Sequence, residues 1–249
     1  GVIMDRLAVV LPVLCFAVML RKDNFRESFL RAAIVIGFFI FLLTNILSQF
    51  DSIAFTPLLV SWLMFFLALL AWRYRTTTTS QTVTSISTTP TQKIVLALLI
   101  CVAGTAGIAA VVAAPNNFDS LTYHLPRIMH WIQNRNVAHF PTNIDRQLAL
   151  APLSEFVIMH LQILYGNDRF ANCVQWFSLV GSAIGVSLIA RTLKGSFNSQ
   201  LVAAAIAVSV PMGLLQATST QNDYAVTFWL VCLTYYIIKA RECSDSKLV

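Results

Sequence analysis

Long apolar runs separated by short polar segments restrict the fold of this chain more than any other feature. A helix needs about 20 apolar residues to cross a bilayer core, and six runs are candidates for such spans: 29–47, 53–72, 94–113, 170–190, 201–217 and 224–238. A shorter run, 7–20, adds a seventh if a few preceding residues also enter the membrane. Only 11% of the residues are charged, against about a quarter in soluble domains. The sequence therefore predicts an all-α fold, a polytopic transmembrane helical bundle of about seven spans.

The net charge of +6 does not indicate a nucleic-acid partner. Proteins that bind nucleic acid collect their basic residues in one patch or stripe. Here the basic residues lie beside the apolar runs, as they do in proteins whose partners are membrane lipids. We therefore expect a membrane partner and no nucleic acid.

A polar tract divides the chain into two parts. Residues 76–93 are mostly Thr, Ser, Gln and Pro, a composition that buries little surface and is typical of a solvated linker. It separates three leading transmembrane helices in 1–75 from a second membrane module in 94–240. The last residues, 241–249, are expected to form a cytoplasmic tail, on the same side as the linker.

One apolar run has two interpretations. Residues 148–165 cross the membrane or lie flat at its interface, because the run is interrupted by five polar or helix-perturbing residues: Pro152, Ser154, Glu155, His160 and Gln162. If this run does not cross, twelve of the seventeen Lys and Arg residues fall on one side. If it does cross, the division becomes seven against ten.

The first division agrees with the excess of Lys and Arg found in cytoplasmic loops. We therefore predict that 148–165 is interfacial and that 114–169 forms one long extracytoplasmic loop with amphipathic interfacial helices. The N-terminus is then outside, unless a helix precedes it.

The long loop is rich in titratable groups, which a simple connection between spans does not need. It contains all four histidines and four of the eleven acidic residues: His124, His130, His139, His160, Asp119, Asp145, Glu155 and Asp168. Such a loop is expected to carry the function.

Helical spacing in 119–131 predicts an amphipathic helix. Its polar stripe, expected to face a cavity, comprises Asp119, Tyr123, Arg127 and Trp131. Its apolar stripe, expected to face lipid or protein, comprises Leu121, Leu125, Ile128 and Ile132. Pro126 kinks this helix, or it marks the first turn of a helix that starts only there.

Asp119 is the candidate general base. It follows shortly after an apolar run, at the expected depth of the lipid headgroups, where a carboxylate can accept a proton from a hydroxyl or an amine. The alternative is that Asp119 caps the loop helix, and the two roles are compatible.

Three arginines of the loop are candidates for phosphate binding, because a guanidinium matches phosphate oxygens in a forked geometry: Arg127, Arg146 and Arg169. The alternative for each is anchoring at the headgroups. Divalent-metal binding is a further alternative for His124, His130, His160 and Glu155. No pair of them has the spacing of an HExxH motif, so no metal site is predicted.

A second polar segment interrupts the apolar runs at 217–226, "ATSTQNDYAV". Gln221, Asn222 and Asp223 are expected at the outer mouth of two spans, on the same side as Asp119. Alternatively, the segment is a plain turn in which Asp223 caps a helix. Two acids from distant segments on one side are what an active site needs.

Four stretches carry a family resemblance: "PNNFDSLTYHLPRIMHWIQNRNVAHFPTN", "APLSEF", "YGNDRFANCVQW" and "STQNDY". Their order resembles the bacterial GT-C glycosyltransferases, in particular the protein O-mannosyltransferase and aminoarabinose transferase group of the RgtA/B/C/D-like type. The resemblance covers roughly residues 94–239 and leaves out the three leading runs.

The resemblance implies an inverting transfer of a sugar from a polyprenyl-phosphate donor to a lipid, glycan or protein acceptor. The enzyme is expected in the bacterial inner membrane, with its active site facing the periplasm or exterior. Asp119 matches the catalytic acid of the first external loop, and Asp223 matches a later external acid. An interfacial helix of the family matches 150–165.

The expected substrate-binding residues lie around these two acids: Tyr123, His124, Arg127, Arg146, Glu155, Arg169, Gln221 and Asn222. The sequence departs from the family beside Glu155, where the aminoarabinose transferases have a lysine and this chain has Ser154 and Phe156. Relatives also continue with more spans after the region of Asp223, so the resemblance implies an N-terminal portion, which is inactive if the missing part is needed.

A non-catalytic transporter or assembly subunit is the alternative. A transporter is expected to place polar groups at mid-membrane on broken helices. No charged residue lies in 94–113 or in 201–217, and the titratable groups gather near one surface instead. This distribution favours the enzyme.

Overall fold

A computed structural model of the protein describes residues 7–76 and 88–245, and this part of the chain is helical without strands. The predicted all-α class is confirmed for these residues. Most of the predicted linker and the end of the predicted tail lie outside them. The helices are α1 (Val10–Met19), α2 (Phe25–Gln49), α3 (Phe55–Arg75), α4 (Pro90–Val112), α5 (Leu125–Asn134), α6 (Arg146–Ala149), α7 (Leu153–Tyr165), α8 (Cys173–Thr192), α9 (Phe197–Ser209), α10 (Pro211–Gln216) and α11 (Asp223–Asp245).

Four described helices are long and apolar enough to cross a membrane: α2, α3, α4 and α8. They contain most of the apolar runs predicted as spans at 29–47, 53–72, 94–113 and 170–190. At about 1.5 Å per residue, even the shortest of them, with 20 residues, reaches about 30 Å, the thickness of a bilayer core. These helices indicate a membrane protein.

The run 201–217 does not form the single helix that its composition predicts. Helix α9 ends at Ser209, Val210 is extended, and Pro211 begins the short helix α10. A residue before proline is driven out of the helical region, and proline itself has no N–H for the helix ladder. With 13 residues, α9 alone is about 20 Å long, which is shorter than a bilayer core.

Helix α8 lies at the centre of the bundle, where it packs most extensively against α9 and α11 and also contacts α2, α4 and α7. Its glycines allow a close approach of α11. A Cβ atom added at Gly181 would lie 2.5 Å from the ring of Phe228, and one added at Gly185 would lie 2.3 Å from Val231. Small residues four apart are a common means of bringing two membrane helices close together.

The three leading helices join the loop helices in one apolar core. Helix α2 contacts both α7 and α8, and α3 contacts α7. Fully buried side chains on these elements include Trp62, Ile128, Ile158, Met159 and Leu164. Residues 7–76 therefore support the long segment between α4 and α8.

We expect Gly181→Ala to destabilise the bundle, whereas Gly104→Ala should not. An alanine Cβ at Gly181 would clash with the buried Phe228 ring, and overpacking of this kind costs about 1–3 kcal/mol. Gly104 is the matched control, because it also lies inside a long helix but has no atom within 4 Å of an added Cβ. Thermal unfolding of both variants in detergent measures the difference, and equal midpoints would contradict the proposed close packing.

Candidate functional site

A π-helical turn, Ser120–His124, precedes α5 and replaces the first part of the predicted continuous helix. The Leu125 N–H donates to the Ser120 carbonyl, five residues back. Pro126 lies in the first turn of α5, and it has no N–H to offer the Thr122 carbonyl. That carbonyl accepts a hydrogen bond from Gln147 Nε2 instead, at 2.8 Å. The backbone is helical from Phe118 through the π-helical turn into α5, so Pro126 does not mark the start of a new helix.

The prediction that the polar stripe of this segment faces a cavity is wrong for Arg127 and Trp131. Arg127 and Trp131, placed on the face expected to line a cavity, are only 5% and 3% exposed. The Arg127 guanidinium lies 4.5 Å from the Trp131 ring, and that ring packs on Phe156 of α7. On the face expected to meet lipid or protein, Ile128 is fully buried and Leu121 is 57% exposed, and neither contradicts that expectation. The π-helical turn shifts the register, and α5 packs against α7, so helical spacing alone does not decide which face is buried.

Asp119, directly before the π-helical turn, is the centre of the candidate site. Gln221 Nε2 donates to its Oδ2 atom at 2.8 Å, although the two residues are 102 positions apart. The Tyr123 phenol lies close enough to the same carboxylate for Asp119 to raise its pKa. Arg146 Nη1 lies 3.8 Å from Oδ1, and its guanidinium lies 5.5 Å from the centre of the Tyr123 ring. The segment 217–226 and the long loop therefore meet at Asp119.

The Asp119 carboxylate remains accessible within this set of partners. Its side chain is 28% exposed, and that of Arg146 is 65% exposed, so water screens the attraction between them. Burial, followed by the interaction with Asp119 and the charge on that carboxylate, raises the pKa of the Tyr123 phenol above its usual value. Tyr123 therefore remains a donor at neutral pH. The arrangement can orient a carboxylate and leave it open to a proton donor.

A second polar cluster lies behind the turn and is buried. His124 Nδ1 is 2.7 Å from Glu155 Oε1, and each side chain is 1% exposed. Arg127 Nη1 lies 3.9 Å from the same oxygen and donates to the Leu150 carbonyl at 2.8 Å. Burial lowers the pKa of Arg127, and the charge of Glu155 opposes that effect. The three side chains link the π-helical turn and α5 to α7.

The remaining predicted site residues lie apart from Asp119. Arg169 is exposed and lines a cavity of about 260 Å³ with the end of α4 and with Asp168. Asp223 is exposed in the first turn of α11, and Asn222 is half-buried. In the described part of the chain, no hydrogen bond or ion pair joins these residues to Asp119.

Three residues that support the site were not singled out from the sequence. Gln147 holds the turn through Thr122, as described above, and Thr220 Oγ1 donates to Ser120 Oγ at 2.6 Å. In the sequence, Ser120 follows Asp119 and Thr220 precedes Gln221. This adjacency was the one sequence signal that they support the site. Polar residues of this kind are common in turns, so only their contacts identify them.

His160 is buried, and its contacts indicate a structural role. Its Nδ1 accepts from Trp62 Nε1 at 3.3 Å, and its Nε2 lies 2.9 Å from Thr44 Oγ1. The bond from Trp62 requires an unprotonated Nδ1, so Nε2 carries the proton and donates to Thr44. Within residues 7–76 and 88–245, no group of three or more His, Cys, Asp or Glu side chains is arranged to hold a metal ion.

A scan against protein-family models and searches of curated proteins and of solved structures gave no match to this chain.

We expect the stability of the protein to fall as the pH drops from about 6.5 towards 3. Burial lowers the pKa of His160 from 6.5 to about 3. Over that interval the unfolded chain binds a proton at this residue and the folded chain does not, which favours unfolding. The contribution is fully present above pH 6.5, where both states are neutral. Unfolding in detergent at a series of pH values measures it.

His160→Gln is the control, because glutamine does not titrate and retains both a donor and an acceptor. The variant should lose less stability over the same pH interval than the parent protein. Equal losses in the two proteins would show that another group is responsible.

Proposed function

We propose that the protein is an integral-membrane glycosyltransferase, or the N-terminal portion of one. It transfers a sugar from a polyprenyl-phosphate donor to a lipid, glycan or protein acceptor, with inversion. The observation that carries the proposal is the contact between Asp119 and Gln221, 2.8 Å long and formed by residues 102 positions apart. It supports the expectation, drawn from the GT-C resemblance, that the two polar segments form one site.

The proposed reaction is a single displacement. The acceptor hydroxyl attacks the anomeric carbon from the side opposite the phosphate, and the bond between that carbon and the phosphate oxygen breaks. Asp119 takes the hydroxyl proton, and polyprenyl phosphate leaves with the electron pair of the broken bond. Gln221 orients the carboxylate through its hydrogen bond, which fixes its geometry before the reaction, and the Tyr123 phenol lies beside it.

Arg146 is the proposed contact for the donor phosphate. It lies beside Asp119 and is 65% exposed, so its guanidinium can turn to an anion of the substrate. Arg127 is less suited to this role, because it is buried and donates to the Leu150 carbonyl. Arg169, exposed beside its own cavity, is proposed as a second cation along the path of the lipid phosphate.

We propose seven spans in a bacterial inner membrane, formed by α1, α2, α3, α4, α8, the broken pair α9 and α10, and α11. Helices α5, α6 and α7 are then interfacial, and Asp119 faces the periplasm or exterior. Three observations support this arrangement: the four long apolar helices, the division of Lys and Arg between the two sides, and the position of Asp119 seven residues after α4 ends at Val112.

A cysteine-labelling experiment tests this topology. His139 and Asp223 are exposed in the segments proposed to be external, and Ser199 is exposed in the first turn of α9, at the end proposed to be cytoplasmic. We expect a membrane-impermeant maleimide to label single cysteines at 139 and 223 in intact cells, in a background free of other cysteines. Position 199 should react only after permeabilisation. Labelling of 199 and 139 under the same conditions would contradict the arrangement.

Substitutions of Asp119 and Arg146 should affect kcat and KM differently, which separates the proposed base from the proposed phosphate contact. Asp119→Asn removes the base and should lower kcat by about 10²–10⁴-fold, the usual contribution of general acid–base catalysis. Arg146→Ala removes a phosphate contact and should chiefly raise KM for the donor. Both effects are measured as sugar transfer from radiolabelled polyprenyl-phosphate sugars by membranes that contain the full chain.

Two controls match these substitutions. Asp51→Asn and Arg135→Ala change an exposed acid and an exposed arginine on the proposed external side, and both should leave transfer unchanged. Full transfer by Asp119→Asn would refute the role of Asp119. Uptake of the labelled compound into sealed vesicles without sugar transfer would favour the transporter instead.

A further inference from the structure

We infer that Ser120 and Thr220 are positioning residues that hold Asp119 against Gln221. We call this hydroxyl pair the latch. The hydrogen bond itself is seen in the structure, whereas its role in catalysis rests on the proposed function. It connects the π-helical turn to the segment before α11 at a point where neither residue can reach a substrate.

The latch is short and fully enclosed. Thr220 Oγ1 donates to Ser120 Oγ at 2.6 Å across 100 positions of sequence, and the two residues are 1% and 0% exposed. The Ser120 N–H in turn donates to Asn117 Oδ1 at 2.7 Å, which fixes the start of the turn. A hydrogen bond excluded from water is stronger than an exposed one, and its loss leaves a buried hydroxyl without a partner.

The latch lies directly behind the site. Ser120 follows Asp119, and Thr220 precedes Gln221, so three hydrogen bonds join the same two segments. Two are buried and end on Ser120 Oγ, namely the short bond of the latch and a longer one of 3.4 Å from the Thr220 N–H, while the third bears the partly exposed carboxylate. If the latch is lost, the segment carrying Gln221 is free to move away from Asp119. Displacements of about 1 Å at a reacting group can cost up to about 100-fold in rate.

Other contacts of the π-helical turn do not replace the latch. Gln147 holds Thr122, and Glu155 holds His124, but these partners come from α6 and α7. The latch is the contact that ties the turn to the segment before α11 through residues that are themselves buried. Its removal should therefore release Gln221 and leave the rest of the turn in place.

Thr220→Val tests the latch, because valine keeps the shape of threonine and removes its hydroxyl. Thr220→Ser restores the hydroxyl. Thr218→Val is the matched control, since Thr218 lies in the same segment and its hydroxyl bonds only to the nearby Leu215 carbonyl. Ser120→Ala removes the other half of the latch and serves as a second variant if Thr220→Val does not fold.

The first readout does not depend on transfer activity. Asp119 in the purified full chain is modified with a water-soluble carbodiimide and an amine, and the product is quantified by mass spectrometry. We expect Thr220→Val and Ser120→Ala to raise the labelling rate by about 2- to 10-fold, the range that corresponds to one ordinary hydrogen bond. Thr220→Ser and Thr218→Val should label like the parent. Unchanged labelling in both latch variants overturns the inference, as does an equal rise in Thr218→Val.

The second readout is sugar transfer. We expect about a tenfold fall in kcat for Thr220→Val with little change in donor KM, and recovery in Thr220→Ser. Faster labelling without a change in kcat would overturn the positioning role. Faster labelling in a chain for which no lipid-linked sugar supports transfer would leave the latch in place and refute the proposed function instead.

Discussion

The close crossing of α8 and α11 is the constraint on which the candidate site depends. Gly181 and Gly185 let α11 approach until Phe228 and Val231 lie against the α8 backbone. At the start of α11, the backbone N–H of Ala225 donates to the buried Gln175 side chain of α8 at 3.0 Å. Because the segment before α11 is fixed at this point, its Thr220 and Gln221 arrive at Ser120 and Asp119. The apolar packing thus determines where the polar groups of the site can lie.

The π-helical turn shows how a proline inside a helical pattern can be accommodated and used. The wider turn before Pro126 frees the Thr122 carbonyl, and Gln147 from another helix takes up that acceptor. Buried polar groups need partners because water cannot reach them. Each such partner here comes from a different element, namely α6, α7 or the segment before α11. The turn is therefore held from several sides, and the carboxylate at its start has a defined position.

Two features of this region could be predicted from the residues, and two could not. The all-helical class and four helices able to cross a membrane follow from the apolar runs, and counting charged residues predicted two polar segments on one side, which the structure brings into contact. The cavity-facing position expected of Arg127 and Trp131 was wrong, because a π-helical turn changes the spacing from four residues to five and α5 packs that side against α7. The break at Val210 was missed because the run 201–217 was judged by its apolar content and not by Pro211.

The sequence by itself determined that this chain belongs in a membrane and that its titratable groups gather in two segments, because hydropathy and composition act locally along the chain. The tertiary structure alone decided which of those groups remain accessible. Arg127 and Glu155 are buried, with the Leu150 carbonyl as the partner of Arg127 and His124 as the partner of Glu155, whereas Asp119 and Arg146 stay open to solvent. The residue types alone do not show which of these side chains is buried and which is exposed. The cost of burying a charge depends on partners that only the folded chain brings within reach.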